Sequence, residues 1–204
     1  MIRDLKSSIV VVVVFTAVCG LAYPLLVTGL GQLVFPGNAD GSLVHRDGRV
    51  VGSKLIGQTF ERDTGHKDAD GNPILEPIPR YFQSRPSATG YAADATFFDN
   101  LGPNQAELAE LLEANADDYL RQNPGTRRQD IPPDAVTDSA SGIDPHISRA
   151  NARIQARRVA RARHIAHARV LRLIDRETDD RFLFLGESGV NVLELNLALD
   201  EEQR

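Results

Sequence analysis

The stretch SSIVVVVVFTAVCGLAYPLLVTGLGQLVF, residues 7–35, contains no charged residue and decides how the chain is organised. A helix needs about 20 apolar residues to cross the hydrocarbon core of a bilayer, so residues 9–35 can span it with some tilt. A cleaved signal peptide is the alternative, with residues 20–22 as its small-residue cleavage site. The apolar run continues well beyond the roughly 7–15 residues of a signal-peptide core, however. The sequence therefore favours an uncleaved transmembrane helix.

The charges on either side of the run indicate an orientation. Arg3 and Lys6 precede it, and the positive-inside rule places such a flank in the cytoplasm. Arg46 and Arg49 follow the run within about 15 residues, so the charge asymmetry is small. The predicted order is a cytoplasmic N-terminus, a single-pass helix in the plasma (inner) membrane and one extracytoplasmic domain: residues 1–8, 9–35 and 36–204.

A Tyr-Pro pair interrupts the middle of this helix. Pro24 cannot donate to the carbonyl of Gly20, which predicts that the helix kinks or loosens there. The hydroxyl of Tyr23 is costly in a membrane unless it finds a polar partner. We therefore expect this pair, with the nearby Thr28 and Gly29, to contact the helix of a partner protein. The alternative is that a lone span simply tolerates both residues.

The bulk composition excludes some classes of protein. The net charge is −5 at pH 7, which argues against a nucleic-acid-binding domain. The single cysteine, Cys19, lies inside the apolar run, so the chain cannot form an internal disulfide. Strand and helix patterns both follow the run. They predict an α+β domain with two hairpin-like strand pairs and helices.

The first predicted strand pair comes soon after the span. The segment SLVHRDGRVVGSKLIGQTF carries Asp47-Gly48 between two β-rich runs, which is typical of a tight hairpin. Residues 61–79 are polar and rich in Gly and Pro, which predicts an exposed loop. Two aspartates before Gly71 resemble a calcium-binding loop only weakly, because a histidine and a proline occupy its first and last ligand positions. We therefore predict no metal site.

A helix and the second strand pair are predicted further along the chain. Residues 103–123 show an apolar stripe at helical spacing with acidic residues early, which predicts a helix. In VNVLELNLALD, leucines alternate with other residues over 193–199. This period of two predicts a strand paired with Phe182–Leu185, although the leucine and alanine content keeps a helix possible.

The segment TDSASGIDPHISRANA permits two interpretations. Asp144 is a favoured helix N-cap whose carboxylate accepts a backbone N–H two or three residues on, and Pro145 suits the first helical position. This interpretation predicts a helix that starts at the Asp-Pro pair.

The alternative interpretation is a membrane-tethered hydrolase or a binding module that uses residues 139–146. Ser139 or Ser141 would be the nucleophile, and His146 would be its base. No G-x-S-x-G elbow surrounds either serine, so residue types alone support the hydrolase.

An arginine-rich segment follows and is predicted to be helical. It contains nine arginines between Arg149 and Arg176 and neither Pro nor Gly. Its apolar face shifts by about a third of a turn, which predicts a break near residues 155–158. The arginines form either a solvated face or a contact surface for acidic or phosphate-bearing partners.

Seven motifs, in this order, resemble KdpC, the C-subunit family of the bacterial Kdp potassium-transporting ATPase. They are GLAYPLLVTG, GSKLIGQTF, YFQSRPSA, NLGP, PPDAVTDSASGIDPHIS, the Gln155-to-Arg163 series and VNVLELNLALD, and together they cover nearly the whole chain. Outside the span, the motif positions that we take as candidate site residues are Gly57, Gln58, Arg85, Pro86, Asn100, Gly102, Pro103, Ser139, Ser141, Gly142, Asp144, Pro145, His146, Gln155, Arg158, Arg163, Asn191 and Asn196.

The resemblance implies a single-span, non-catalytic subunit with an α+β domain outside the cytoplasm. Its implied partners are a channel-like potassium-binding subunit, a P-type ATPase subunit and a small single-helix subunit. The resemblance also implies a role in assembly and a catalytic-chaperone role that raises the ATP affinity of the ATPase subunit. ATP would then be shared with that subunit, and no tightly bound cofactor is expected in this chain.

At two helix positions the chain departs from the family pattern. Family members often carry a proline near Ala156 and a glycine near His164, and both of those residues break helices. This chain has alanine and histidine instead. The predicted break near residues 155–158 therefore depends on the shift of the apolar face alone.

Overall fold

A computed structural model describes residues 2–95, 100–179 and 186–203 of the chain. The chain divides into two compact units, Met1–Ser53 and Lys54–Arg204. The first unit contains the apolar helix and a hairpin, and the second contains small antiparallel sheets and helices. The predicted α+β fold class with an N-terminal apolar helix is confirmed.

The apolar run forms one helix from Ile2 to Val34, which is long and apolar enough to cross a membrane. It consists of α1 (Ile2–Phe15), a π-helical segment (Thr16–Ala22) and α2 (Tyr23–Val34), and a short α3 (Pro36–Ala39) follows.

The wide π-helical turn lies immediately before the Tyr-Pro pair. The backbone N–H of Tyr23 reaches five residues back to the carbonyl of Val18. Because Pro24 has no N–H to donate, the turn before it widens to take in one extra residue, as in the π-bulges of other helices. The predicted loosening of the helix at Pro24 is therefore confirmed.

The first hairpin follows the apolar helix. Strand β1 (Leu43–Arg46) pairs antiparallel with β2 (Arg49–Ser53). Both turn residues have positive φ, 50° at Asp47 and 76° at Gly48. This is the geometry of a type I′ turn, whose twist matches that of the flanking strands. The hairpin predicted from Asp47-Gly48 is confirmed.

The second unit begins with an unexpected hairpin. Residues 61–79 were predicted to be a loop, but β3 (Glu61–Lys67) pairs antiparallel with β4 (Pro73–Pro77). The carboxylate of Asp68 accepts the N–H groups of Asp70 and Asn72 and closes the turn. Most of the hairpin is exposed, so its sequence lacks the alternation that burial of one face would impose.

The remaining elements complete the second unit. They are α4 (Ala106–Gln122), two short 3-10 turns (Arg128–Asp130 and Pro133–Ala135), β5 (His146–Ile147), α5 (Arg149–Arg163), α6 (His167–Arg176), β6 (Thr178–Asp179), β7 (Gly189–Asn191) and α7 (Val192–Glu201). The three short strands form an antiparallel sheet in the order β5-β7-β6. The helix predicted over residues 103–123 is confirmed as α4.

The main core lies where α5, α6 and α7 meet this small sheet. Its fully buried members include Phe82, Ile147, Ala152, Val159, Ile174, Val190, Leu195 and Leu199. Burying each of the larger side chains contributes roughly 1.5–3 kcal/mol, and the alanines of α5 let its neighbours approach closely.

The predicted break in the arginine-rich helix was placed wrongly. Helix α5 runs through residues 155–158 and ends at His164, which has a left-handed φ of 56°. The N–H of Ile165 bonds the carbonyl of Ala160, a typical helix C-cap arrangement. Counting apolar residues misled the prediction, because Asn151 and Gln155 are buried on the core face of α5.

The second predicted strand pair was also wrong. Residues 192–201 form a helix, α7, and Phe182–Leu185 lie outside the described residues. Asn191 caps α7 by accepting the N–H of Glu194. Nearly every side of the first two turns of α7 is buried, so the alternation of leucines fits inside a helix.

The helix start predicted at Asp144-Pro145 was wrong by four residues. The carboxylate of Asp144 does accept the N–H of His146, at 3.0 Å. This bond closes a turn before β5, however, and α5 starts only after Ser148, whose side chain accepts the N–H of Asn151. Asp and Ser both suit a turn and an N-cap, so local sequence did not distinguish the two.

Candidate functional site

The motif YFQSRPSA forms the centre of the second unit. Its residues 82–87, here called the central segment, belong to no helix or strand. The N–H of Phe82 donates to Asn196 Oδ1 at 2.8 Å, and Asn196 Nδ2 donates to the carbonyl of Phe82 at 3.0 Å. Gln155 makes the same pair of bonds with Gln83, at 2.8 and 3.0 Å. Two side-chain amides thereby satisfy main-chain groups that would otherwise be unpaired.

The GQTF motif lies against the central segment. Ser84 Oγ donates to the carbonyl of Gln58 at 3.0 Å, and the N–H of Gly57 donates to the carbonyl of Ile143 at 2.8 Å. A Cβ on Gly57 would lie 2.6 Å from the carbonyl oxygen of Asp144. Only glycine fits this close approach, which explains the motif position.

Arg85 joins the central segment to the DSASGIDP loop. Its Nη1 lies 2.9 Å from Asp144 Oδ2, and its Nη2 donates to the carbonyls of Thr137 and Asp138. The next residue, Pro86, accepts the N–H of Ser139. The guanidinium therefore fixes the loop through several carbonyls and one carboxylate, a task that suits the planar donors of arginine.

The loop is also held through its glycine. Ser87 Oγ donates to the carbonyl of Gly142 at 2.6 Å. Gly142 has a φ of 70°, and a Cβ there would lie 2.7 Å from Thr89 Oγ1. A left-handed backbone and a close neighbour together favour glycine at this position.

Asp144 and His146 form a charged group at the edge of the small sheet. Burial opposes ionisation of Asp144, but hydrogen bonds from His146 and Arg85 outweigh it and lower the pKa of its carboxyl to about 2. The hydrogen bond to Asp144 raises the pKa of the His146 imidazole, burial opposes the rise, and a hydrogen bond to Asp179 adds to it. The shifts favour an imidazolium between two carboxylates.

The hydrolase interpretation requires a serine and His146 within hydrogen-bond reach. Instead, Ser139 Oγ lies 3.2 Å from Ser141 Oγ. The imidazole faces carboxylates on both sides, with Nδ1 3.7 Å from Asp144 and Nε2 3.3 Å from Asp179. The nucleophile–base pair is not formed in this arrangement.

Arg158 occupies a buried polar cluster between α4, α5 and the central segment. It donates to Asn123 Oδ1, to Gln155 Oε1 and to the carbonyls of Pro79 and Tyr81. Burial lowers the pKa of its guanidinium to about 10. These acceptors are neutral, so the cluster satisfies the donors of Arg158 but does not neutralise its charge.

Arg163 is the most deeply buried arginine of the motif series, with none of its side chain exposed. Its guanidinium forms an ion pair with Asp200 at 2.7 Å, donates to the carbonyl of Arg80 and lies 4.9 Å from the centre of the Tyr81 ring. This arrangement ties α5 to α7 and to the two residues just before the central segment.

The other motif residues occupy two peripheral places. Asn191 Nδ2 donates to the carbonyl of Lys54 at 2.8 Å and so links β7 to the chain before the central segment. Asn100, Gly102 and Pro103 form the turn that leads into α4, where the carbonyl of Gly102 accepts the N–H of Gln105. Asn100 also lines a pocket of about 450 Å³ together with Ala88, which follows the central segment, and Ser139 of the DSASGIDP loop.

A cleft of about 370 Å³ opens beside the central segment. Its lining includes Glu61, Arg85, Tyr91, Tyr119, Asn151 and Gln155. Burial raises the pKa of the Glu61 carboxyl. Among the described residues, no group of three or more His, Cys, Asp or Glu could hold a metal ion. The cleft offers amides, hydroxyls and a guanidinium, groups that bind polar ligands through hydrogen bonds.

Several residues of the cleft were not predicted from the sequence. Tyr119 and Asn151 lie in helices and bond to each other at 2.9 Å, and burial raises the pKa of the Tyr119 hydroxyl. Tyr91 donates to the carbonyl of Arg85. A helical tyrosine that completes an apolar stripe is usually a core residue, so its spacing alone carried no sign of a polar role.

The predicted partner-binding residues of the apolar helix are all exposed. At 3.6 residues per turn, Pro24 and Thr28 share one face of α2, and Tyr23 and Gly29 lie about 100° to either side of it. These four residues therefore surround the helix and do not form a single stripe.

Together these features define a class of protein in which one N-terminal apolar helix, long enough to cross a membrane, is followed by an α+β domain. The sequence model of the family "K+-transporting ATPase, c chain" (KdpC) matches residues 5–201. Two similar relatives, from Sorangium cellulosum and Methylibium petroleiphilum, are 47% identical over 98% of each chain and 48% identical over 96% of each chain. A third, from Caldanaerobacter subterraneus, is 41% identical over 98% of this chain and 96% of its own.

All three relatives are named potassium-transporting ATPase KdpC subunit. The chain belongs to the KdpC family of potassium-transporting ATPase subunits. The resemblance found in the seven motifs is confirmed, and with it an accessory role in potassium transport.

Proposed function

We propose that the chain is a non-catalytic subunit of an ATP-driven, high-affinity potassium uptake complex and that it supports assembly of this complex. The observation that carries the proposal is the apolar helix, in which no residue from Ile2 to Val34 is buried in the isolated chain. Other membrane helices would cover this surface and offer a partner to the Tyr23 hydroxyl.

The proposed partners are a channel-like potassium-binding subunit, a P-type ATPase subunit and a small single-helix subunit. Membrane lipid would cover the rest of the helix. The names of the relatives, as subunits of a potassium-transporting ATPase, support this proposal. Pro24 and Thr28 share a face on which small or short side chains allow close helix packing.

The direct test is purification of a tagged chain from native membranes. We expect a P-type ATPase subunit to be recovered with it in a fixed ratio. Recovery of the chain as a stable lone protein would contradict the proposal. A tagged chain that lacks residues 1–35 is the matched control, because it keeps the α+β domain and loses the proposed docking helix.

We propose that the N-terminus lies in the cytoplasm and the α+β domain outside it. Arg3 and Lys6 support this orientation. The test uses Cys19→Ser with Asp70→Cys, which moves the single thiol to the exposed turn between β3 and β4. A membrane-impermeant thiol reagent should label the variant in cells whose outer envelope has been opened and whose inner membrane is intact. Labelling only after lysis of the inner membrane would show the opposite orientation.

The proposed role in ATP affinity needs a route across the membrane. ATP is cytoplasmic and the proposed position of the domain is not, so the chain would hold no tightly bound cofactor of its own. Any effect on the ATP affinity of the ATPase subunit would then be transmitted through the apolar helix.

The competing hydrolase proposal has a separate test. A serine-reactive fluorophosphonate should leave the chain unlabelled, because Ser139 and Ser141 face each other and His146 faces carboxylates. Labelling that disappears in Ser139→Ala or Ser141→Ala would favour the hydrolase.

A further inference from the structure

One side of α5 forms the wall of a pocket of about 540 Å³ that gathers five arginines. These are Arg62, Arg121, Arg157, Arg158 and Arg161, and we call this site the arginine pocket. The single carboxylate in its lining, Glu76, lies 3.4 Å from Arg62. Because the whole chain has a net charge of −5, this local positive charge is opposite in sign to the overall charge.

The innermost arginine of the pocket has a charge without a counter-ion. Arg158 donates to Asn123 Oδ1 at 3.2 Å, to Gln155 Oε1 at 2.7 Å, and to the carbonyls of Pro79 and Tyr81 at 2.8 and 2.9 Å. Each of these acceptors is neutral. An anion that approaches a half-buried cation in such surroundings stabilises its charge.

Two exposed arginines stand at the mouth of the pocket. Arg157 and Arg161 lie one turn apart on α5, and the side chain of neither forms an ion pair or hydrogen bond with the described residues. Like charges at this spacing repel each other along a helix. An anion that bridges the two guanidinium groups would remove that repulsion.

Apolar residues also line the pocket. They include Pro77, Pro79, Pro124, Ile154 and Ala162. A combination of charged and apolar side chains is the usual anatomy of a protein–protein contact, in which arginine and apolar anchors provide most of the affinity.

We propose that the arginine pocket binds an acidic polypeptide segment of a partner subunit. Aspartate or glutamate side chains of that segment bind Arg157 and Arg161, and a neighbouring apolar side chain packs on the prolines. A free phosphate fits less well, because it would leave the apolar lining of Pro77, Pro79 and Ile154 uncovered. The inference rests on the proposed function, since the partner is a subunit of the same complex.

The test places a photo-crosslinking amino acid at Ala162 in the full chain, in native membranes, and identifies the crosslinked partner peptide by mass spectrometry. The proposal expects a peptide of a co-purifying subunit with at least two Asp or Glu residues. Arg157→Gln with Arg161→Gln should lower the crosslink yield about ten-fold, the scale of losing two arginine–carboxylate contacts of an interface. Arg157→Lys with Arg161→Lys should restore part of it.

Arg49→Gln with Arg172→Gln is the matched control. It removes two exposed arginines outside the pocket that form no ion pair with the described residues, so the net charge changes equally. An equal fall in both double variants overturns the proposal, as does a crosslink to lipid or to a segment without acids. If the complex co-purifies and Ala162 crosslinks to nothing, only the pocket proposal fails. If no ATPase subunit co-purifies with the wild type, the proposed function fails as well.

Discussion

The side-chain amide of Asn196 forms hydrogen bonds with both main-chain groups of Phe82, although 114 residues separate the two in the chain. Gln155 does the same for Gln83, the next residue. Two amides from α7 and α5 thus act as a neighbouring strand would. Asn196 and Gln155, two of the motif positions, thereby satisfy main-chain groups of a segment that belongs to no sheet.

Replacing Asn196 by leucine should destabilise the second unit strongly. The substitution keeps the volume and leaves the N–H and the carbonyl of Phe82 buried without a partner. At about 1–3 kcal/mol for each of the two orphaned groups, we expect a loss of roughly 2–6 kcal/mol in the free energy of unfolding. Urea unfolding of the full chain in detergent, followed by circular dichroism, measures this loss. The exposed Asn104→Leu is the control and should change stability by less than about 0.5 kcal/mol.

Arg85 and Asp144 should be energetically coupled to each other through their ion pair. The two side chains are 21% and 29% exposed and lie 2.9 Å apart, so solvent screens them less than a surface pair. A double-mutant cycle with Arg85→Met and Asp144→Asn should give a coupling energy of about 1–3 kcal/mol. Effects that add to within about 0.5 kcal/mol would show that the pair contributes nothing of its own.

Strong local signals were enough to predict part of this fold. Asp47-Gly48 specifies a turn with two positive φ angles, and residues 106–122 repeat an apolar stripe over several turns. Pro24 removes a specific donor, so the loosened turn before it follows from covalent structure. None of these features depends on distant residues.

The errors arose where distant contacts decide the local structure. Asn151 and Gln155 are polar and buried, because their partners come from α4 and from the central segment. A count of apolar residues therefore placed the helix break too early. His164 adopts a left-handed φ that a sequence pattern does not reveal in a non-glycine residue. The arginine pocket likewise combines four separate parts of the chain.

The unfolding free energy should depend on pH through His146. Its folded-state pKa is raised above the unfolded value, so the stabilising contribution is present below the unfolded pKa and is lost as the pH rises through the folded one. We expect a higher urea midpoint at about pH 6 than at about pH 9. His146→Gln should remove this difference, whereas the exposed His45→Gln should retain it.

Protonation of Asp144 should lower the unfolding free energy at the acidic end of its pH dependence. Its folded-state pKa is lowered to about 2, so its contribution is present above the unfolded value and is lost as the pH falls toward 2. Asp144→Asn should flatten the acid limb of the stability curve. An unchanged acid limb would show that other carboxylates control it.

The Tyr-Pro pair should matter for assembly more than for folding. Tyr23→Ala removes a hydroxyl from the exposed surface of the apolar helix, and Pro24→Ala restores the backbone donor whose absence accompanies the π-helical turn. A lost interhelical hydrogen bond in a membrane is worth about 1 kcal/mol, so recovery of the ATPase subunit with the tagged double variant should fall about five-fold. The urea midpoint of the second unit should stay unchanged.

Val13→Ala with Val14→Ala provides the control for this experiment, because it also trims two exposed side chains of the same helix but leaves the π-helical turn intact. Equal recovery of the ATPase subunit with both double variants would show that the Tyr-Pro pair has no specific role in assembly and serves only as part of the membrane anchor. The ATP concentration for half-maximal ATPase activity should be measured on the same preparations. If the apolar helix transmits the proposed effect on ATP affinity, that concentration rises in Tyr23→Ala with Pro24→Ala, even among the complexes that still assemble.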